Sequence, residues 1–505
     1  MQWALLSVTN KQGVDQLARH LIAQGLAILA TGGTAGYLQA QSVPVTRVES
    51  LTGFETLLGG RVKTLHPVLY AGILSRETDA DVRDRTAVAA PEIAVVAVDL
   101  YAFEDALAAH APVTELVEAI DIGGVALIRA AAKNFERVLV LTRPDQYATV
   151  LEKPLASWTV AERKAWAADA LRYVAYYDAM IADGLGEEDQ DAEFGPYWVT
   201  AGRRLDPLRY GENPHQAAGW YRWPVGDGFG RAHLLNGKAL SYNNVLDDEA
   251  AWRLVRDLPP NSVVAVKHQI PCGVGVAATP AESYALCYAA DPVSIYGGIV
   301  ALHGRVDEAL ARSLRETFLE VVIGLEFTPE ATAILRQKKN LRLLEMPPTG
   351  RRRFDLRMVA GGFVVQRTDR LVRTLDQFRQ VAGPVDPLGP ALRRDAEIAW
   401  QTVSHVRSNA IVVVKDGASA GIGGGETNRI DAARHALERA GSRARGAAMA
   451  SDGYFPFGDV VAEAARYGIA VIVEPGGSRR DGESIEAAEK AGIQLWFTDE
   501  RHFTH

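Results

Sequence analysis

Two strand–loop–helix units fill residues 4–36, and they constrain the fold more than any other feature of the chain. Ala4–Val8 reads as an apolar strand running into the polar loop S-V-T-N-K-Q-G, with a helical pattern following through Leu17, Leu21 and Ile22. A second strand, Leu26–Leu29, runs into A-T-G-G-T-A. Strands that each hand over to a helix pair in parallel, which predicts a doubly wound α/β sheet. Each loop suits an anion. Thr31-Gly32-Gly33-Thr34 offers hydroxyls and unobstructed N–H groups at a helix amino terminus, and Lys11 adds a charge. The spacing is neither that of a Walker loop nor G-x-G-x-x-G. By itself a glycine pair in a βα turn fits ordinary turn geometry as well as a phosphate cradle.

A chain of 505 residues accommodates two to four domains of about 100–200 residues. Its net charge of −8 disfavours a nucleic-acid partner, while leaving room for a local basic cleft that holds an anionic small molecule. Two cysteines, Cys272 and Cys287, point to a reducing, cytoplasmic setting rather than a disulfide framework. The opening M-Q-W-A-L-L-S-V lacks a basic region and cleavage site and reads as a first strand. No apolar run approaches the ~18 residues of a membrane span, so no membrane partner is expected.

Further polar clusters follow apolar segments. Leu58–Pro67 reads L-G-G-R-V-K-T-L-H-P and sets Arg61, Lys63, Thr64 and His66 on one short loop, a density that suits a phosphorylated ligand. Ile93–Leu100 is a buried strand ending in Asp99-Leu100-Tyr101, and Ile120-Asp121-Ile122-Gly123-Gly124 begins another strand-to-loop turn. After Arg129, A-A-A-K-N reads as a small-residue helix ending at Lys133-Asn134. Residues 156–182 are helical and rich in Ala, Tyr and Trp; the acidic, glycine-broken G-L-G-E-E-D-Q-D-A-E-F-G-P then reads as a surface linker, with a boundary near Gly195.

In the later part, V-V-A-V-K-H-Q-I-P-C-G (263–273) is a short buried strand, stopped near Val266 by the turn residues Pro-Cys-Gly. Lys267 and His268 sit at its end. The stretch reads first as a strand ending in two solvated residues, and second as a catalytic pair of imidazole and ammonium. An echo follows at A-I-V-V-V-K-D-G-A-S-A-G-I-G-G-G (410–425): aligning Lys267 with Lys415 also aligns Gly273 with Gly421 and Gly275 with Gly423. This suggests two similar halves. A zinc deaminase needs H-x-E and P-C-x-x-C, and Pro271-Cys272 is followed by Gly273-Val274-Gly275, so no zinc or other metal ligand set is expected. Arg351–Arg353 reads as solvated surface.

The motifs S-V-T-N-K-x-G, A-T-G-G-T-A, G-G-R-V-K-T-L-H-P, D-L-Y-A-F, I-D-I-G-G-V and R-A-A-A-K-N, followed by L-R-Y-G-E-N-P-H-Q (208–216) and N-G-K-A-L-S-Y-N-N (236–244), resemble those of the bifunctional purine biosynthesis family in sequence and order. The likeness runs to the last residues. It implies an inosine monophosphate (IMP) cyclohydrolase domain of methylglyoxal-synthase-like fold over 1–195. An AICAR transformylase domain of two cytidine-deaminase-like subdomains is implied over 196–505. The transformylase would move a formyl group from 10-formyltetrahydrofolate to AICAR, and the cyclohydrolase would close formyl-AICAR to IMP.

Carried over by resemblance, Thr9, Asn10, Lys11, Thr31, Gly32, Gly33, Thr34, Arg61, Val62, Lys63 and Thr64 would bind the nucleotide, with Val98, Asp99, Asp121 and Ile122 lining the rest. Lys63, Tyr101, Asp121 and Lys133 would serve ring closure. Arg209, Tyr210, Gly297 and Glu320 would hold AICAR; His268 would be its general base, Lys267 its charge stabiliser, and Asn409 would orient the formyl oxygen. Arg429 would face the folate, Tyr454, Phe457 and Asp459 would lie where an aromatic can stack on its pterin, and Gly476, Gly477 and Arg501 would complete the substrate-binding signature set. The resemblance also implies a homodimer with shared transformylase sites, and it leaves an alkali-metal ion open. The chain departs from the family at Asp99 and Ala102 (usually Asn and Pro), Ile270 (often Asn), Ile295-Tyr296 (Ala-Phe) and Glu426 (Gln). A carboxylate at position 99 should disfavour an anionic ligand nearby. Two other readings stay open: retention of only one activity, or a nucleotide-binding regulator without turnover. Lys63, Lys133, Lys267 and His268 argue against the second, since binding alone would not require all four.

Overall fold

The computed structural model describes the chain except residues 55–56, 59–60, 187–193, 225–227, 349, 351–353 and 372. The acidic core of the expected linker, the Arg351–Arg353 segment and the glycine pair before Arg61 therefore lie outside the described residues. The chain divides into two compact units, Met1–Arg203 with Arg222–Val225, and Arg204–Tyr221 with Gly226–His505.

The first unit is built on five strands: β1 (Gln2–Ser7), β2 (Ala27–Ala30), β3 (Thr46–Arg47), β4 (Glu92–Val98) and β5 (Leu139–Leu141). They pair in parallel in the order β3-β2-β1-β4-β5. Both sheet faces are covered, which is why β1 and β4 read as nearly continuous apolar runs. Leu5, Leu29 and Val96 pack with Leu127 and Ile128 of the helix Gly123–Lys133 and Val174 of the helix Val160–Leu185. Ala4, Leu6 and Ala97 pack on the other side with Leu17 and Leu21 of the helix Val14–Ala23. The long helix starts at a capping box between Thr159 and Glu162. Strand order reverses between β1 and β4, so the crevice of the unit opens beyond their carboxyl ends.

The second unit holds a twelve-stranded mixed sheet. In chain order its strands are β6 (His233–Asn236), β7 (Val263–Lys267), β8 (Ile270–Gly275), β9 (Ile299–Leu302), β10 (Val321–Gly324), β11 (Arg342–Glu345), β12 (Arg379–Ala382), β13 (Ile411–Lys415), β14 (Ala418–Gly423), β15 (Ala448–Ser451), β16 (Val471–Glu474) and β17 (Gln494–Phe497). Their spatial order is β12-β17-β16-β15-β13-β14-β8-β7-β9-β10-β11-β6. Read outward from the β14–β8 seam, where Gly275 faces Ala418, the two halves are the same arrangement. A hairpin is followed by one antiparallel neighbour, two parallel strands and an antiparallel edge strand.

The aligned glycines have a packing cause. A Cβ on Gly273 or Gly275 would lie 2.3 Å from Cys287 O or 2.0 Å from Ser283 O, both on the helix Pro280–Ala290. A Cβ on Gly421 or Gly423 would lie 2.0 Å from Ala436 O or 2.1 Å from Ala432 O, both on the helix Arg429–Ala440. Each half thus lays a helix backbone directly against its second hairpin strand. One expectation is corrected: Pro-Cys-Gly does not end the strand at Val266. The turn is His268–Gln269, and Pro271-Cys272-Gly273 belongs to β8, where the register shifts between Pro271 and Gly273. Proline is tolerated in a strand at such an irregularity.

Because the obstructing atoms are backbone carbonyls, Gly275→Ala and Gly423→Ala should each destabilise the second unit by roughly 1–3 kcal/mol or more. Denaturant midpoints check this. A loss under about 0.5 kcal/mol at both positions would contradict the close helix-on-strand contact.

Candidate active sites

At the switch point of the first unit, the segments after β1, β2 and β4 meet the start of the helix Gly123–Lys133 around a cavity of about 680 Å³. Thr9, Lys11, Thr31, Gly32, Gly33, Thr34, Arg61, Lys63, Thr64, Asp99, Tyr101, Asp121 and Ile122 all line it. Thr31 is extended at the N-cap position of the helix Gly32–Ala40 and makes no side-chain cap, which leaves the first N–H groups of that helix free at the cavity wall. Thr34 Oγ1 donates to Val8 O and accepts from Val8 N, both at 3.0 Å, tying this cradle to the end of β1. Lys11 Nζ donates to Val8 O and stands 3.3 Å from Thr34 Oγ1. Burial lowers its pKa, and the nearby Asp99 works against that shift.

Asp99 does not stand free in this basin. Its carboxylate accepts the N–H groups of Thr9 and of Asn10, the latter at 2.8 Å. Burial raises its pKa, while those two N–H groups and Lys11 pull it down. The expected conflict with an anionic ligand is thereby softened, since the charge is spent on the loop that follows β1. Asp121 is also raised, first by burial and further by Asp99, against hydrogen bonds from the backbone of Gly124 and Tyr101 and the charge of Lys63. Gly124 N donates to Asp121 Oδ1 at 2.7 Å.

Two residues that sequence reading missed hold these segments in place. Asp121 N donates to Tyr177 Oη at 2.9 Å, and Tyr177 in turn donates to Ala119 O at 2.9 Å. Leu100 N donates to Tyr173 Oη at 3.2 Å. Arg47, Glu49 and Glu118 also line the cavity, and Glu118 pairs with Arg61. Asn10, Val62, Val98 and Lys133 are not among the lining residues. Asn10 contributes its N–H to Asp99, and Val98 is buried within β4. Lys133 closes the helix Gly123–Lys133 at its far end, about 15 Å from the cavity end at 1.5 Å per residue.

In the second unit, Lys267 and His268 line a cavity of about 470 Å³ between the two halves. Cys272, Asp291 and Ser294 come from one half; Ser419, His435 and Arg439 come from the other. Lys267 Nζ donates to Tyr296 O at 2.9 Å. An ammonium has three protons, so two donors remain. The Cys272 thiol is pushed up to about 12, mainly by burial, and is no nucleophile near neutral pH.

The other expected residues of this unit fall into separate groups. Arg429 Nη2 donates to Asn409 Oδ1 at 2.7 Å, and its Nη1 reaches Ser451 Oγ at 2.9 Å and the buried Asp452. Asn409 Nδ2 donates to Glu426 O at 3.0 Å. Arg501 lies 4.7 Å over the Phe503 ring, whose other close cation is Arg429 at 6.0 Å. Gly476 N donates to Glu474 Oε2 at 2.8 Å, and Gly477 N to Asp481 Oδ2 at 2.9 Å. Tyr454 and Phe457 are exposed, with Arg480 4.6 Å over the Phe457 ring, and Asp459 opens the helix Asp459–Tyr467. Glu320 accepts from Asn244 Nδ2 at 2.9 Å, Gly297 N donates to Phe318 O at 2.8 Å, and Arg209 stacks on Tyr210 at 4.6 Å. None of these residues lines the Lys267–His268 cavity.

Comparison with known proteins gives a coherent answer. The family model described as AICARFT/IMPCHase bienzyme matches residues 131–439, and that of an MGS-like domain matches residues 13–126. A bifunctional purine biosynthesis protein PurH from Thermoanaerobacter sp. (strain X514) is 41% identical over 507 residues, covering 99% of both chains. The proteins of the same name from Parasynechococcus marenigrum (strain WH8102) and Synechococcus sp. (strain WH7803) are 44% and 45% identical. They cover 100% and 99% of this chain and 99% of their own.

Glu474, beside the Gly476–Gly477 loop, is pushed up to about 8, chiefly by burial, and its Oε1 has no hydrogen-bond partner among the described residues. The folded value lies above the unfolded value of about 4.3. Between the two, the unfolded chain has lost a proton that the native chain keeps, so stability falls as pH rises, by up to roughly 1.4 kcal/mol per pH unit. Glu474→Gln should therefore gain stability relative to the unmodified chain from pH 5 to pH 8. Thermal melting of both proteins across that range checks it, and a constant difference would show the carboxyl ionised in the fold.

Proposed function

This chain belongs to the AICARFT/IMPCHase bienzyme family of bifunctional purine biosynthesis proteins, and we propose that its two units divide the family's chemistry. The protein formylates AICAR, with a formyl-tetrahydrofolate as cosubstrate, and closes formyl-AICAR to IMP. In the proposed division, formyl transfer belongs to the second unit, with 10-formyltetrahydrofolate as donor, and ring closure to the first. The observation that carries this reading is the first-unit cavity. It puts a helix amino terminus, four cations and a half-buried carboxylate of raised pKa around a volume that suits a nucleotide.

For ring closure, the Thr31–Thr34 cradle with Arg61 and Thr64 grips the phosphate. Asp121 takes a proton as the weakly nucleophilic carboxamide nitrogen attacks the formyl carbon. Lys63 and Tyr101 supply two protons to the oxygen that leaves as water, and the protons lost from the carboxamide nitrogen, through Asp121, and from the formamide nitrogen as the ring C=N forms restore them. The cavity holds both reacting groups of one molecule in attack geometry, which supplies much of the rate. Lys133 enters this scheme only through its resemblance to the family pattern.

For formyl transfer, His268 removes the proton of the AICAR amine as it attacks the formyl carbon and the Lys267 ammonium stabilises the oxyanion; collapse of that oxyanion breaks the formyl C–N10 bond, and N10 of the departing tetrahydrofolate takes up the proton. The groups around Asn409–Arg429, Gly476–Gly477 and Glu320 do not line this cavity, and a homodimer that shares its transformylase sites, as the family resemblance implies, is part of the proposal. The hairpin Phe354–Val359/Gly362–Arg367 supports it. Its Met358, Val359 and Val364 are exposed, and a lone two-stranded hairpin is marginal in water unless covered. A cytoplasmic setting is proposed from the two free cysteines; among the described residues no helix is long and apolar enough to cross a membrane.

Lys63→Ala should lower ring closure of supplied formyl-AICAR by about 10²–10⁴-fold and leave tetrahydrofolate release intact, with Lys267→Ala doing the reverse. Both variants losing the same step would overturn the division. The raised pKa of Asp121 has a signed consequence as well. Ring closure needs the ionised form, so its rate falls as pH falls through a value above the usual ~3.9 of aspartate. Asp121→Asn should abolish that limb along with most of the rate; a pH–rate profile in which the acid limb persists would exclude Asp121 as the base.

A further inference from the structure

The hairpin that carries Lys267 and His268 has a full counterpart in the other half of the unit, and setting the two side by side exposes a residue with no assigned role. β7 and β8 are joined by His268 and Gln269, with φ of 56° and 63°; β13 and β14 are joined by Asp416 and Gly417, with φ of 52° and 78°. A two-residue turn of this hand needs left-handed backbone at both positions, which glycine adopts without a Cβ penalty and glutamine does not. The lysines before the turns are equivalent: Lys267 Nζ donates to Tyr296 O and Lys415 Nζ to Gly446 O, each at 2.9 Å.

Each turn is also tied to a carboxylate at the same sequence distance before its lysine. Asp395 accepts from Asp416 N and Gly417 N, both at 2.8 Å. Asp247 accepts from Gln269 N at 2.8 Å, and the neighbouring His268 N–H and charge help to hold its pKa down against burial. Both halves anchor the turn on an aspartate, two N–H groups in the second half and one in the first, and they differ most in what the turn presents. The first puts an imidazole beside its lysine, on a turn without glycine, and this turn lines the cavity.

We propose that Asp247 is a positioning residue for formyl transfer: by holding the backbone N–H of Gln269, its carboxylate fixes the turn that aims the His268 imidazole into the cavity beside Lys267. The proposal deepens the reading given above and rests on His268 being the proton acceptor. Asp247 does not line the cavity. Its effect reaches the chemistry only through the backbone of the turn, where a displacement near 1 Å is enough to cost about 10²-fold in rate.

The test uses the full-length protein, measuring kcat and KM for tetrahydrofolate release with AICAR and 10-formyltetrahydrofolate, alongside thermal melting. Asp247→Ala should lower kcat by about 10–100-fold with KM for AICAR changed less than about threefold, and Asp247→Asn, which keeps one acceptor, should lose less. Adding Gln269→Gly to Asp247→Ala should recover at least about threefold, because glycine adopts the turn unaided. Asp395→Ala should cost comparable melting temperature and leave kcat within about threefold. Equal kcat losses from Asp247→Ala and Asp395→Ala would make the anchor merely structural and overturn the proposal. So would no recovery on adding Gln269→Gly. Should Asp247→Ala fail to fold, Asp247→Asn is read against Asp395→Asn in the same way. His268→Ala separates the two layers. Full turnover in that variant would refute the assignment of His268 itself, whereas loss in His268→Ala with normal Asp247 variants would refute only the positioning role.

Discussion

Carboxylates that accept backbone N–H groups just beyond strand ends hold the chemistry of this molecule in place. Asp99 ties the loop after β1 to the end of β4, and Asp121 closes the first turn of the helix that floors the same cavity. Asp247 and Asp395 secure the two hairpin turns, Asp452 takes the N–H of Ala410, and Glu474 takes that of Gly476. A strand end leaves N–H groups that must find partners once buried. A carboxylate supplies two strong acceptors where a neutral amide supplies one, and charge-assisted bonds are the stronger kind. The opposing cost is desolvation, visible in the raised pKa of Asp99, Asp121, Asp247 and Asp395 despite those bonds.

That balance also explains why an acid is tolerated at position 99. A free carboxylate in a phosphate basin would repel the ligand. One that already accepts two N–H groups and faces Lys11 presents little uncompensated charge. Glu426 is handled differently: its backbone carbonyl accepts from Asn409, while its side chain lies 3.6 Å from His435. The departure at 426 therefore leaves the Asn409 amide held in place for Arg429, because the Asn409–Glu426 bond uses the main chain of the altered residue.

The sequence was legible wherever a physical constraint leaves a mark in residue type. Strands buried on both faces read as apolar runs, so the parallel sheet was visible in the first two βα units. Helix backbones packed on strands forbid a Cβ, so the aligned glycines 273/421 and 275/423 betrayed the duplication. The first-unit cavity was legible because its donors cluster on short loops. What stayed hidden are contacts whose partner is the main chain. Tyr173, Tyr177, Asp247 and Asp395 all act on N–H groups, which every residue type carries. Pro271 was misread because proline signals a turn more often than a strand irregularity. Lys133 was found by motif, and the helix then places it a full helix length from the cavity.

Duplication followed by divergence gives the second unit its asymmetry. Both halves keep the sheet order, the glycine-lined helix contact, the lysine and the anchoring aspartate, all of which serve the framework. Only the turn residues differ in kind. Asp416-Gly417 is an easy pair for left-handed backbone, since aspartate tolerates that conformation and glycine has no side chain to obstruct it. His268-Gln269 is a hard pair, and a hard pair persists only where its surroundings over-determine it. The neighbouring cavity gives the first hairpin a use for an imidazole that the second does not share. Strain at His268–Gln269, and the carboxylate that sustains it, is thus the physical trace of a framework element turned to chemistry in one half and left as framework in the other.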